Sequence, residues 1–328
     1  MINLEKIIEA SERIDVARTP VLTSSILDAM ASQMSPLELF FKCELFQKTG
    51  SFKFRGAANA VALLSEEEAE KGIVAHSAGN HAGSCALAAK KRGIPAYIIV
   101  PETTPQVKKD AVRGYGATLI ECEPPFEARE RMAQKIKQET GASFIHPFDN
   151  MNVMAGQGTI ALELLSQVTE LDALIIPVGG GGLLTGCTVA ARGLNPAIKV
   201  FAAEPELVND CYRSFHEKRR VNNSENGTLS VADGLLTNLG ELALSQLDNI
   251  DDIFTVSEQE IVTAMKLVWE RMKLCIEPSA AVALAVALYN KQFQSIAKEQ
   301  GIKRIGIIFS GGNVDITAAI DLFNRFKV

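Results

Sequence analysis

Leu174-Ile175-Ile176-Pro177-Val178-Gly179-Gly180-Gly181-Gly182-Leu183 reads as a strand that runs into a glycine turn and then a helix beginning near Leu184. An unbroken apolar run of this length, with no polar alternation, suits a strand covered on both faces, as in a parallel sheet. Glycine permits close backbone approach and positive φ, and successive amides at a helix start form an anion cradle. The turn therefore reads as a phosphate site, with simple tight packing as the alternative. It is not the dinucleotide pattern Gly-x-Gly-x-x-Gly, it lacks the lysine and hydroxyl of a nucleotide P-loop, and it lies late in the chain.

Similar β-branched runs recur from Gly72 to His76, Ala96 to Val100, Thr118 to Glu121, Ser143 to His146, Val200 to Ala203, Ile253 to Val256 and Arg304 to Phe309, separated by helical patterns. Such alternation predicts a doubly wound α/β protein. The strand-to-helix crossings Ser77-Ala78-Gly79-Asn80 and Ser310-Gly311-Gly312-Asn313 join the tetraglycine turn as three places where ligands sit in sheets of this kind. Four units between about Gly72 and Pro147 would make a sub-domain inserted in a larger one, giving a small domain over 67–148 and a large one over 1–66 and 149–328. Charged segments such as Glu127 to Glu139 read as solvated helix faces, and no solenoid period is present.

The 328 residues allow two domains or one large α/β unit. With 47% hydrophobic and 22% charged residues and a mean hydropathy of +0.10, the composition is that of an ordinary globular protein. A net charge of -6 and a single short basic cluster, Lys218-Arg219-Arg220, which reads as a solvated loop, argue against a nucleic-acid partner. Cys43, Cys85, Cys122, Cys187, Cys211 and Cys275 are scattered singly, as reduced thiols of a cytosolic protein would be. Neither a secretory leader nor a membrane-spanning run is visible, so the expected location is cytoplasmic, with no membrane partner.

Ser51-Phe52-Lys53-Phe54-Arg55-Gly56-Ala57 places one lysine between two aromatics. Apolar surroundings disfavour an ammonium and free the amine to form a Schiff base; the plain alternative is an exposed lysine closing a loop. The amides of Ser77-Ala78-Gly79-Asn80-His81 suit a small carboxylate, with Ser77 and Asn80 adding side-chain donors, while a lone histidine such as His81 is more often a capping or packing residue than a ligand. Ser310 ends the last strand and can hydrogen-bond a heteroaromatic nitrogen, or can simply cap the next helix. Glu204-Pro205-Glu206-Leu207-Val208-Asn209-Asp210 sets two carboxylates six positions apart around a turn, an arrangement for a hard cation or merely a solvated acidic loop.

Taken together, the lysine stretch, Ser77 to His81, the tetraglycine loop and Ser310 to Asn313 resemble, in order and spacing, the fold type II pyridoxal-phosphate enzymes of the serine racemase and serine/threonine dehydratase family. The resemblance covers nearly the whole chain and is closest to eukaryotic serine racemases at Thr19 to Ser25, Phe41 to Gly50, Val268 to Lys273 and Ser310 to Asp315. It implies a tryptophan synthase β-like architecture, two doubly wound parallel-sheet domains with the active site between them. It further implies that Lys53 carries the Schiff base of pyridoxal 5'-phosphate, that Phe52 packs beside it, that Asn80 bonds its 3'-oxygen, that Gly179, Gly180, Gly181, Gly182 and Leu183 hold its phosphate and that Ser310 faces its ring nitrogen. Ser77, Asn80, His81 and Arg129 would hold the substrate. Glu204, Asp210 and the Val208 carbonyl would form a site for Mg2+ (or Ca2+ or Mn2+). Ser24, Ser25, Ile26, Lys48, Thr49, Tyr115, Lys273 and Asn313 match positions that bind an activating ATP at the interface of a homodimer, although Gly83 stands where glutamine is usual. No room follows Asp315 for an appended regulatory domain, so feedback by isoleucine is not expected.

The departure that matters is Ala78. By the same resemblance, racemases use the lysine on one face of the substrate α-carbon and a serine hydroxyl on the other, and that serine would sit at 78. A methyl group relays no proton. The expectation is therefore an enzyme of L-serine or a related β-hydroxy amino acid in which α,β-elimination to pyruvate and ammonia dominates. Racemisation is the alternative, with Ser77, His81 or a water as substitute donor. A nucleotide-binding oxidoreductase built on the tetraglycine turn is the alternative of another class, disfavoured by the absent Gly-x-Gly-x-x-Gly.

Overall fold

The computed structural model describes residues 1–77, 79–223 and 229–328. Strands β1 (Val21–Leu22), β2 (Glu38–Cys43), β3 (Ile73–His76), β4 (Ala96–Pro101), β5 (Thr118–Cys122), β6 (Ser143–Phe144), β7 (Ala173–Pro177), β8 (Lys199–Pro205), β9 (Asp252–Val256) and β10 (Arg304–Phe309) form two sheets. The larger runs β1-β2-β10-β7-β8-β9 and the smaller β5-β4-β3-β6. Every pairing is parallel except that of β1 with β2. The fold is thus the expected α/β architecture of parallel sheets.

Residue alternation builds the core. Along β7, Ile175 faces one apolar layer with Phe41, Phe201 and Ile307, while Leu174 and Ile176 face the other with Leu164, Leu184 and Ile308. Ile73 and Ala75 of β3 likewise face away from Val74. Burial of each such aliphatic side chain contributes about 1.5–3 kcal/mol, and a strand buried on both faces needs no polar alternation. The helix Pro278–Tyr289 is apolar all round and buried from Pro278 to Leu288, as a helix surrounded by protein must be. It packs on β7, β8, β9 and β10, and proline at its first position supplies a preset helical φ where no amide bond is lost.

The helix Lys53–Ala62 packs on Asn80–Arg92, which follows β3, and on Met151–Gln167, which precedes β7. It is held at its start by the fully buried charges of Lys42, Glu44 and Arg55 and the partly buried Glu163. Arg55 donates to Glu44 through Nε (2.7 Å) and to Glu163 through Nη1 (2.7 Å), and Lys42 reaches Glu163 at 2.7 Å. Burial of Lys42, Glu44 and Arg55 is tolerated only because opposite charges and hydrogen bonds meet there.

Several element boundaries differ from the expectation by a residue or two, β6 for instance ending at Phe144 rather than His146. Gly72 has φ +80° and closes the preceding helix rather than opening β3, and the helix after the tetraglycine turn begins at Gly182, not near Leu184. The basic cluster is also not wholly solvated: Arg220 Nε donates to the Leu239 carbonyl at 3.0 Å, and Lys218 pairs with Asp248 at 3.1 Å.

Candidate active site

Three turns at the carboxyl ends of parallel strands converge, one after β3, one after β7 and one after β10, which is where ligands collect in such sheets. Lys53 opens its helix between them. The Phe52 amide donates to the Ser310 carbonyl (3.0 Å), the Gly312 amide to Gly50 (3.0 Å), and Ser51 bridges Gly311. The lysine is therefore seated directly against the end of β10. Its Nζ donates to the Pro147 carbonyl at 3.0 Å and lies 5.1 Å from the Phe52 ring centroid. Removal from water pushes its pKa down to about 8, against the opposing pull of Cys85 and Glu277. Its place in the first turn of a helix, the positive end of the dipole, acts in the same direction. The flanking aromatics serve different layers: Phe54 is buried against the small sheet, and Phe52 packs toward the large one.

Facing Lys53 across the turns is a group that the sequence reading missed. Glu277 is buried, and Asn80 Nδ2 donates to its Oε1 at 3.0 Å and its Oε2 at 3.1 Å. Burial, reinforced by the charge of Asp233, pushes the Glu277 pKa up to about 7, while the Asn80 amide pulls the other way. Asn80 Oδ1 in turn accepts from Asn313 Nδ2 (2.8 Å), which also donates to the Thr49 carbonyl (2.7 Å). The only hint of Glu277 in the sequence is one carboxylate set before the apolar run Pro278 to Leu288.

The tetraglycine turn has no room for side chains. A Cβ on Gly180 would lie 2.3 Å from the Phe148 ring, and Gly181 has φ +86° with Ala243 Cβ 2.4 Å from any Cβ of its own. No amide from Gly179 to Leu183 has an acceptor among the described residues. Free donors at the start of the helix Gly182–Leu194 fit an anion such as a phosphate, and a buried amine of lowered pKa beside them fits a carbonyl partner. The donor set thus matches pyridoxal phosphate, with Ser310, buried at the end of β10, available to its ring.

The other expected positions are placed as follows. Ser77 follows β3, and its Oγ accepts from the Gly79 amide at 3.2 Å; Ala78 lies outside the described residues. The His81 ring turns inward, its Nε2 2.9 Å from the Ile145 carbonyl, and burial depresses its pKa to about 3. It can therefore offer the site its backbone amide but not its ring. Arg129, on Phe126–Thr140, lies close enough to His76 to add to the lowering of its pKa by burial, and close enough to Cys122 to oppose the rise that burial causes there. Glu204 ends β8, and its carboxylate accepts the amides of Cys211 (3.0 Å) and Tyr212 (2.8 Å). Asp210 accepts from Asn223 (2.6 Å) and Leu239 (2.7 Å). Burial and the charge of Asp210 push Glu204 well above the usual carboxylate range, and burial pushes Asp210 up to about 6. Two buried acids with no cationic side chain bonded to them among the described residues, beside the buried Val208, fit a divalent cation.

Of the residues matched to a nucleotide, Thr49 and Asn313 touch directly, and Tyr115 lies 3.6 Å from where a Gly83 Cβ would stand. Lys48 is committed to Asp15, at 2.9 Å. Ser24 caps the helix Ser25–Ala31, which Ile26 continues, and Lys273 Nζ donates to the Glu270 carbonyl at 2.6 Å.

Residues 13–311 match the pyridoxal-phosphate dependent enzyme family. The chain belongs to that family and is a pyridoxal-phosphate enzyme. It is 48% identical over 326 residues to serine racemase of Dictyostelium discoideum, covering 98% of each chain. Its backbone superposes on maize serine racemase with a TM-score of 0.93 at 42% identity, covering 99% of this chain and 98% of that one. The processed form of threonine deaminase isoform 2 from Solanum lycopersicum gives 0.88 at 32% identity, with 98% of this chain and 87% of that one covered. No helix among the described residues is long and apolar enough to cross a membrane.

Proposed function

We propose that this enzyme acts on L-serine or a close β-hydroxy amino acid and chiefly eliminates water from it, yielding pyruvate and ammonia. The cofactor, when bound, supplies the electron sink that makes the α-proton of an amino acid removable. Lys53, Phe52, Asn80, the amides of Gly179 to Leu183 and Ser310 would hold it. Ser77 and the amides of Asn80 and His81 would hold the substrate carboxylate, with Arg129 nearby. Lys53 Nζ takes the α-proton, a role suited to an amine whose pKa is lowered to about 8. The β-hydroxyl leaves as water, and one water returns on hydrolysis, so that serine becomes pyruvate and ammonia. Neutral Ser310, in place of a charged partner, would leave the ring a weaker electron sink and favour elimination.

The observation that carries elimination over racemisation is the residue at 78. Alanine offers no proton to the second face of the α-carbon, and the His81 ring is already engaged with Ile145. Racemisation is kept as the second reading because the relative at 48% identity is a serine racemase; Ser77 or a water would then donate. The deciding experiment follows pyruvate and D-serine together from L-serine, in the parent and in Ala78→Ser. Pyruvate should dominate in the parent, and the substitution should raise the share of D-serine; D-serine formed as fast as pyruvate by the parent would overturn the reading. Loss of the visible cofactor band in Lys53→Ala checks the lysine separately.

Further proposals are a divalent-cation site at Glu204, Val208 and Asp210, nucleotide activation at a homodimer interface, and a small domain over 67–148 set in a large one. The sequence resemblance supports each of them, and the raised pKa values of Glu204 and Asp210 support the first.

A further inference from the structure

His146 stands just beyond β6, and its Nδ1 accepts the amides of Phe148 (3.3 Å) and Asp149 (2.8 Å). One imidazole thus answers two backbone donors and fixes the turn that carries them. Three contacts depend on that turn. The Pro147 carbonyl receives the Lys53 amine. The Phe148 ring, packed edge-on against His146 at 4.6 Å, closes over Gly180. The Asp149 carboxylate accepts the amides of Glu241 (3.2 Å) and Leu242 (2.9 Å), on the segment that approaches the glycine turn through Gly240.

We propose that His146 is a positioning residue: by accepting these two amides it holds the Pro147 carbonyl as the fixed acceptor that aims the Lys53 amine whenever that amine is free. The inference rests on Lys53 being the cofactor-bearing lysine. A lysine that bonds its cofactor must be released and recaptured in every turnover, and a flexible four-carbon stem left without an acceptor loses its orientation. The acceptor role requires a neutral imidazole. Burial and the charge of Lys53 lower the His146 pKa, which favours that form, with Asp149 opposing.

Three substitutions separate the acceptor from the ring. His146→Asn offers a carboxamide oxygen that can take the same two amides as an Asx turn, His146→Leu keeps bulk without an acceptor, and His146→Gln sets its oxygen one methylene too far. In the cofactor-free protein, Lys53 is acylated with an amine-reactive sulfonate across pH and quantified by peptide mass spectrometry. Without its carbonyl partner the ammonium is less stable, so the labelling midpoint should fall by roughly one pH unit in His146→Leu and return in His146→Asn. In the holoenzyme, kcat should drop about tenfold in His146→Leu with KM nearly unchanged, and recover in His146→Asn. A parental labelling profile in His146→Leu, or an Asn variant that behaves like the Leu variant, overturns the proposal. Should His146→Leu not accumulate, His146→Gln takes its place, and the same two outcomes overturn the proposal. A retained cofactor band in Lys53→Ala would instead refute the lysine assignment, which the labelling profile does not touch.

Discussion

Asn80 and Glu277 join the two sheets through one side-chain amide shared between both carboxylate oxygens, at 3.0 and 3.1 Å. The contact brings a residue at the end of β3 to one at the start of the apolar helix under β7 to β10. An acid buried there is easier to keep protonated than ionised.

The pH dependence follows from the direction of that shift. Glu277 has a folded-state pKa of about 7, above its ordinary 4.5. Its contribution to stability is complete below the ordinary value and is lost as pH rises through about 7. Across that window the cost reaches about 3 kcal/mol. Glu277→Gln, which cannot ionise, should therefore gain on the parent between pH 5 and pH 8 in thermal melts of the cofactor-free protein. A constant difference between the two across this range would contradict the burial argument.

The charges behind Lys53 should be costly to unbalance. Glu44→Gln leaves Lys42 and Arg55 facing Glu163 alone in a dry interior, and breaking such an arrangement costs about 3–5 kcal/mol. Urea unfolding should show that loss. The double variant Glu44→Met, Arg55→Met keeps the Lys42 and Glu163 pair and should recover most of it, because uncompensated charge is the source of the penalty.

Glu204 and Asp210 should make stability depend on divalent cations. At a concentration about a hundredfold above its dissociation constant, such an ion adds about 3 kcal/mol. Chelation should lower Tm and magnesium should restore it in the parent, whereas Glu204→Gln should respond to neither. An unchanged parent Tm under both treatments would remove the cation site.

Eight of the ten strands among the described residues are legible in the sequence because a parallel strand buried on both faces shows as an apolar run with soft ends. The other two are hidden for physical reasons. β1 is two residues long, and β2, Glu38-Leu39-Phe40-Phe41-Lys42-Cys43, carries charges near both ends that disguise it. Lys42 is nonetheless buried, because Glu163, 121 positions away, meets it. The glycine turn and Lys53 are legible because backbone freedom and an aromatic-flanked amine have local signatures. Glu277 and His146 are not, since each acts through contacts with residues far along the chain or through a turn whose geometry no spacing records. His81 shows the converse: its place in the turn after β3 suits a substrate ligand, yet the ring packs on Ile145 and leaves only the amide for that role.

β10 lies between β2 and β7 in the large sheet, and its end is what seats Lys53. Residues 51–53 are thus set in place by a strand made some 250 positions later. During synthesis the amine has no seat until that strand slots into the middle of the sheet, a late and long-range closure. A polypeptide cut short before Arg304 would keep Lys53 but lack the strand end against which it is seated.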